Sequence, residues 1–164
     1  MRIEHIFDKI TPARIVMISP LVFVVHVLEE APEFVSWFNS LVEPDISQQS
    51  FVGVNITAFI ITTVVAVAAA TTKRLPALLT ALAWLSFLMF ANAILHIVGT
   101  IVHGYSPGAV TAAALYLPYF AWIFRSLQQS SGVSILLLAT ITMLAGLPML
   151  IHGYLIVFEG GRLF

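Results

Sequence analysis

Residues 51–72 read FVGVNITAFIITTVVAVAAATT, an apolar stretch without a single charged side chain. A helix of about 20 residues crosses the hydrocarbon core of a bilayer, so this stretch predicts a transmembrane helix. The whole chain agrees, because 60% of its 164 residues are hydrophobic, only 9% are charged and the mean hydropathy is +1.01. About a quarter of the residues in an ordinary soluble domain are charged, which excludes that class. We therefore predict an all-α fold, a polytopic helical bundle in a membrane.

Five predominantly apolar segments follow one another, which predicts five transmembrane helices in a single domain, residues 1–164. The predicted spans are about 13–31, 51–72, 75–103, 108–126 and 133–158, and residues 33–48 form an amphipathic connector at the membrane interface. Bends are expected at Pro118 and Pro148. The first span has no small-residue cleavage site after it, so we expect it to be retained.

Basic residues set the predicted orientation, because cytoplasmic loops are enriched in Lys and Arg. Such residues precede the first span and separate the second from the third and the fourth from the fifth; they are Arg2, Lys9, Arg14, Lys73, Arg74 and Arg125. The connectors 31–50 and 104–108 contain none. The N-terminus, with His5, is therefore predicted to be cytoplasmic. The C-terminus is predicted to lie outside, with Arg162 as the one discordant charge.

This orientation places polar side chains from several spans in the outer leaflet. His26, Glu29 and Glu30 are spaced i, i+3 and i+4, so they share one face of the first helix. His152 lies in the outer part of the fifth span. The third span carries a polar stripe of Asn92, His96, Thr100 and His103. Because polar stripes of membrane helices face the bundle interior, we expect the first and third spans to meet along these faces.

Imidazoles and carboxylates that are buried together favour a divalent cation, which offsets the cost of burying charge. The chain contains no cysteine, so metal ligands must come from His, carboxylate or amide groups. We predict a divalent metal, zinc in preference to iron, with ligands drawn from His26, Glu29, Glu30, His96, His103 and His152. Three ligands and a water would generate a nucleophile near neutral pH, with one of the paired glutamates as general base.

Three local patterns resemble those of the HXXEE-motif membrane proteins, a family of small bacterial proteins of uncharacterised function. They are His26-x-x-Glu29-Glu30, Asn92-x-x-x-His96 and Tyr105-x-Pro107-Gly108-x-x-Thr111, complete and in order. The resemblance implies a shared membrane fold and a common site, but no activity. With five spans, it also implies a multi-pass protein of the bacterial inner (cytoplasmic) membrane.

The third pattern also has a direct physical reading. Pro107 and Gly108 are expected to form the turn before the fourth span, and Thr111 begins that helix, whose free N–H groups can receive an anionic or carbonyl oxygen. Tyr105 would donate a hydrogen bond or a proton to the same place. We therefore expect catalytic roles for Glu29, Glu30, Asn92 and Tyr105, and substrate contacts from Thr100, Gly108 and Thr111.

Structural roles compete with these assignments. The glutamates could simply reach headgroup water, and Asn92 with His96 could form a hydrogen bond that holds helices together. His103 could be an exposed loop residue, and His152 could bond a carbonyl freed by a proline. Four aromatic residues are predicted to serve packing or the membrane interface: Trp84, Tyr116, Tyr119 and Trp122. A site is favoured because the polar groups converge on one leaflet.

The leading functional hypothesis is a metal-dependent membrane enzyme that hydrolyses a lipid or another apolar substrate. The alternatives are a di-iron oxidase or hydroxylase, a haem-binding electron carrier with His96 and His26 or His152 as axial ligands, and a proton-coupled carrier. Near-zero net charge gives no indication of nucleic-acid binding. The expected partners are the lipid bilayer and an apolar or lipid-like substrate. Small residues in VVAVAAATT (64–72) favour close helix packing, within one chain or between copies in a homo-oligomer.

Overall fold

The structure, a computed structural model, describes residues 11–163. Its helices are α1 (Pro12–Glu30), α2 (Phe34–Asn39), α3 (Gln48–Thr72), α4 (Leu75–His103), α5 (Ala109–Ser131) and α6 (Ile135–Glu159). Within the described residues, five of these helices are long and apolar enough to cross a membrane, and α2 is a short helix in the connector between the first two. The predicted all-α class with five spans is confirmed. His5 lies outside the described residues.

Local sequence signals explain where the helices begin and end. Ser47 caps α3, since its Oγ accepts a hydrogen bond from the N–H of Ser50 at 3.0 Å. The helix ends at Lys73, which adopts a left-handed conformation with φ 53°. α5 continues through a polar run to Ser131, past the predicted end near 126, because the first helix-ending residue is Gly132 with φ 65°.

α4 is the central helix of the bundle. In its most apolar window 56% of the residues are buried, against 17% for α3. It packs against α3, α5 and α6, while α1 packs against α3 and α5. Side-chain hydrogen bonds tie the helices together; for example, Trp84 donates to Thr62 of α3 at 2.9 Å, and Tyr119 donates to the carbonyl of Ile15 at 2.7 Å. The polar face of α1 meets α4 through Glu30 and His96, and it meets α5 through Glu29 and Thr111.

Several helices contain irregular turns close to the polar residues. α4 has a π-helical turn at Ser86–Ala91, directly before Asn92, and α5 has another at Ala112–Tyr116, directly after Thr111. Pro118 follows the second turn and has no N–H to continue a regular ladder. Such wide turns inside α-helices are frequent at functional sites.

α2 covers one end of the bundle. Phe38 and Val42 belong to a buried cluster with Leu95 of α4 and with Ile156 and Val157 of α6. The aromatic residues Phe34 and Trp37 pack against the same cluster. The connector therefore lies over the end of the bundle where the polar residues of α1 and α4 meet.

Candidate metal centre

Two histidines and one glutamate converge between α1 and α4. His26 and Glu30 lie one turn apart on the same face of α1, and His96 reaches them from α4. Nε2 of His26 lies 3.4 Å from Oε1 of Glu30, and Nε2 of His96 lies 2.9 Å from the same oxygen. The exposed fractions of His26, Glu30 and His96 are 1%, 5% and 0%. The structure thus brings together three of the predicted ligands as a group that could hold a metal ion.

The separations within this group suit the ligands of one ion. Two ligand atoms that each lie about 2.0–2.1 Å from an ion are about 2.9 Å apart at a right angle and about 3.4 Å apart at the tetrahedral angle. The contact between His96 Nε2 and Glu30 does not have hydrogen-bonding geometry, and that nitrogen has no hydrogen-bond partner among the described residues. A buried polar atom without a partner costs about 1–3 kcal/mol. A cation between nitrogen and carboxylate would remove this cost.

A hydroxyl group orients the His26 ring. Nδ1 of His26 lies 2.7 Å from Oγ1 of Thr111, and that hydroxyl donates to the carbonyl of Gly108 at 3.3 Å. With the hydroxyl proton assigned to the carbonyl, the hydroxyl oxygen accepts the proton of Nδ1, which is the tautomer that a metal ion at Nε2 requires. The lone pair of the ring is then on Nε2, which faces Glu30. Outer hydrogen bonds of this kind fix the tautomer of metal-binding histidines.

A second hydroxyl orients the His96 ring. Nδ1 of His96 lies 3.1 Å from Oγ of Ser106, which is fully buried. The backbone N–H of Ser106 donates to Oγ1 of Thr100 at 3.0 Å. Thr100, predicted to contact substrate, therefore holds the segment that positions the histidine. Both imidazoles are oriented by one connection, residues 104–111, which we name the outer turn.

Gly108 of the outer turn lies directly on the metal-binding group. A Cβ atom at this position would be 2.9 Å from Glu30 Cγ, 2.9 Å from His26 Cε1 and 3.0 Å from His96 Cε1. Its φ of +96° is also unfavourable for a residue with a side chain. Both the space and the backbone conformation therefore require glycine where the Tyr-x-Pro-Gly pattern has it.

Glu29 has a different environment from Glu30. Its Oε1 accepts hydrogen bonds from Tyr105 at 2.8 Å and from the N–H of Val110 at 3.0 Å, and its Oε2 accepts one from the N–H of Thr111 at 2.7 Å. The anion that the start of α5 receives is thus the protein's own carboxylate. The hydrogen bond to Glu29 raises the pKa of Tyr105 above its usual value. Glu29 lies outside the three-residue group.

A cavity of about 800 Å³ adjoins the group. His26, Glu30 and Asn92 line it, and Nδ2 of Asn92 lies 3.3 Å from Nε2 of His26. Most of the remaining wall is apolar, and its large members are Phe23, Phe34, Phe38, Phe51, Trp84 and Phe87. The buried His26 and Glu30 side chains therefore adjoin a mostly apolar space.

The other two predicted histidine ligands lie apart from the group. His103 is exposed at the end of α4, and its Nε2 donates to the carbonyl of Val157 at 2.7 Å. His152 lines the same cavity from α6, and its Nδ1 accepts a hydrogen bond from the N–H of Leu163 at 3.1 Å. Neither is one of the three convergent residues.

Sequence reasoning missed two residues that touch the histidines. Ser106 occupies the unspecified position of the Tyr105-x-Pro107 pattern, and its hydroxyl is buried beside His96. The signal in the sequence was the serine hydroxyl within that pattern. Tyr116, predicted as a packing aromatic, places its ring 4.1 Å from the ring of His26, centroid to centroid. The Tyr116 hydroxyl is buried and has no hydrogen-bond partner among residues 11–163, so a water or ligand oxygen beside His26 would satisfy it.

Comparison with known proteins agrees with the motifs. A family described as proteins of unknown function with an HXXEE motif matches residues 17–123, which include the three convergent residues, the outer turn and Tyr116. No curated protein and no solved structure matches the chain. With about two thirds of its length matched, the chain belongs to the HXXEE-motif family of unknown function.

Proposed function

We propose that this protein is a metal-dependent enzyme of the membrane that hydrolyses a lipid or another apolar substrate. The observation that carries the proposal is the convergence of His26 Nε2, His96 Nε2 and Glu30 Oε1 beside a mostly apolar cavity of about 800 Å³. His26 and Glu30 of this group line the cavity. Ligands that hold an ion at its edge would expose the ion to a bound substrate.

A divalent ion held by these residues would supply a water activated as a nucleophile near neutral pH. Glu30 would bind through Oε1, which leaves its Oε2 to accept the proton from that water. The amide of Asn92, beside His26 at 3.3 Å, would hydrogen-bond to the substrate oxygen on which negative charge develops. Glu29 would act indirectly, because its carboxylate binds the end of the outer turn, and the outer turn orients both histidines.

Zinc fits this donor set, since two imidazoles and one carboxylate with an open position are the ligands of hydrolytic zinc enzymes. The same set binds mononuclear iron in oxygenases, so oxidation of an apolar substrate is the second candidate. A di-iron centre is less well supported, because the described residues contain one group of suitable ligands. A haem between His26 and His96 is disfavoured because Glu30 Oε1 lies 3.4 Å and 2.9 Å from their Nε2 atoms, in the space that a porphyrin would need.

Elemental analysis of protein purified in detergent tests the metal. We expect about one ion per chain in the wild type and in His103→Gln, and loss of the ion in Glu30→Gln and His96→Ala. His103→Gln is the matched control, because it removes an imidazole from the same helix as His96 but outside the group. Equal metal content in all four proteins would refute the site.

Turnover tests the activity. The wild type is reconstituted into vesicles of mixed lipids with zinc, with ferrous iron or with a chelator, and the lipids are analysed by mass spectrometry. Hydrolytic products that require zinc and are missing with Glu30→Gln would support the proposal. Products that contain added oxygen and require iron would replace it with the second candidate. Metal binding without any lipid product would refute lipid hydrolysis.

A further inference from the structure

Arg162 lies at the rim of the same cavity, and the metal centre does not explain it. The side chain is partly buried, and the structure records no hydrogen bond or ion pair between it and another residue in 11–163. It is also the basic residue that opposes the positive-inside pattern, and it lies outside the 17–123 match to the family. A partly buried guanidinium that lines a cavity favours an anionic ligand there.

The fold holds Arg162 in position through the residues around it. Gly160 turns the chain with φ 64°, and the N–H of Gly161 donates to the carbonyl of Leu155 at 3.1 Å. On the other side, the N–H of Leu163 donates to His152, which lines the cavity. The chain therefore folds back over the end of α6, and hydrogen bonds hold the backbone on both sides of Arg162.

The polar residues of the cavity wall lie towards one end, where they are mixed with apolar residues such as Phe34, Phe38 and Ile156. Along α1 the lining runs from Phe23 to Glu30, and along α4 it runs from Trp84 through Asn92 to Leu95. The antiparallel α3 gives the same order when followed backwards, from Ile61 to Ser50. Arg162 also lines the cavity at this mixed end. A cavity that is apolar at one end and contains polar and charged groups at the other is complementary to an amphiphile with a charged head and an apolar tail.

The length of the cavity matches one leaflet. Its lining on α4 extends from Trp84 to Leu95, which is about 16 Å at about 1.5 Å per residue. Half of a bilayer core of about 30 Å is about 15 Å. An acyl chain that enters from one leaflet would therefore fill the apolar end while its headgroup remains beside the metal-binding group and Arg162.

We propose that the cavity binds an acyl-chain amphiphile whose headgroup carries a single phosphate charge that pairs with Arg162. This deepens the proposed function, on which it rests, by naming the substrate class of the same site. Asp45, an exposed residue that also lines the cavity, would repel a second negative charge, so a phosphodiester headgroup is favoured over a doubly charged one. The acyl chain lies along Trp84, and the phosphate is bound by the guanidinium.

Quenching of Trp84 fluorescence tests this binding directly. The full chain, treated with a chelator in an uncharged detergent, is titrated with monoacyl phosphatidylglycerol that carries a brominated chain. The second probe is monoacylglycerol with the same chain and no phosphate. We expect saturable quenching by the phosphate probe that disappears in Trp84→Phe, and about 10- to 100-fold weaker binding in Arg162→Gln. Arg125→Gln, which removes an exposed cation from α5, is the matched control.

The proposal predicts that Arg162→Gln leaves binding of the uncharged probe unchanged. It is overturned if Arg162→Gln and Arg125→Gln bind the phosphate probe equally well, or if Trp84→Phe is quenched as strongly as the wild type. It is also overturned if inorganic phosphate at equal concentration displaces the probe, because the ligand would then be free phosphate. Because the protein is free of metal in these titrations, their outcome is independent of the metal and turnover measurements.

Discussion

Replacing Gly108 with alanine probes the closest contact between the outer turn and the metal-binding group. The new Cβ would lie 2.9–3.0 Å from carbon atoms of His26, Glu30 and His96, so these side chains must move. A left-handed conformation costs a residue with a side chain about 1–2 kcal/mol, and overpacking adds about 1–3 kcal/mol. We expect Gly108→Ala to lower the free energy of unfolding by about 2–5 kcal/mol.

Gly132→Ala separates the two contributions. Gly132 is also left-handed, with φ +65°, but a Cβ atom there would meet nothing within 4 Å. Gly132→Ala should therefore lower the free energy of unfolding only by the backbone contribution, about 1–2 kcal/mol. In a chain of this size each 1 kcal/mol lowers the melting temperature by about 2–4 °C, which thermal unfolding in detergent resolves.

Metal titration completes the comparison. Displaced ligands should weaken zinc binding at least about 10-fold in Gly108→Ala, while Gly132→Ala binds as tightly as the wild type. If the two variants have equal melting temperatures and equal zinc affinities, Gly108 does not contact the three ligands as described. If stability differs but zinc affinity does not, the contact exists and the ligands do not hold zinc.

Three further predictions concern the hydrogen bonds around the centre. Ser106→Ala removes the partner of His96 Nδ1 and should weaken zinc binding about 10- to 100-fold in a competition titration, whereas Thr57→Ala, whose hydroxyl bonds only its own helix, should not. Glu29→Gln should lower the melting temperature but retain about one zinc per chain, while Glu30→Gln loses the zinc; the opposite pattern would exchange the roles of the two glutamates. Because the pKa of Tyr105 is raised in the folded protein, the protonated hydroxyl adds to the free energy of unfolding. This contribution is present in full below the unfolded-state pKa of about 10 and is lost as the pH rises through the folded-state value. Absorbance titration of tyrosinate should show the pKa of Tyr105 falling back towards 10 in Glu29→Gln, and an unchanged titration would contradict the hydrogen bond.

Much of the fold follows from periodicity and polarity. Long uncharged stretches predict membrane helices because backbone groups in lipid must be satisfied within the helix. The approach of α1 to α4 follows from the same physics, since His26, Glu30 and His96 cannot face lipid cheaply. The i, i+4 spacing on α1 accounts for the shared face of His26 and Glu30.

The separate environments of the two glutamates do not follow from the sequence. Adjacent residues point about 100° apart around a helix, so Glu29 and Glu30 face different neighbours. Which of them meets the start of α5 depends on how α5 packs, and no local pattern contains that information. The positions of His103 and Ser106 depend likewise on how the outer turn folds, since one is exposed beside α6 and the other is buried under His96.

The outer turn gives the assembly of the centre an order in time. α1 and α4 carry all three convergent residues, but the hydroxyls that orient the histidines, Ser106 and Thr111, come later in the chain. A nascent chain that ends at His103 would have every ligand and neither orienting group. The site should therefore be complete only after α5 has inserted beside α4. Chains whose synthesis is arrested before that step should bind metal poorly, and chains arrested after it should bind metal well.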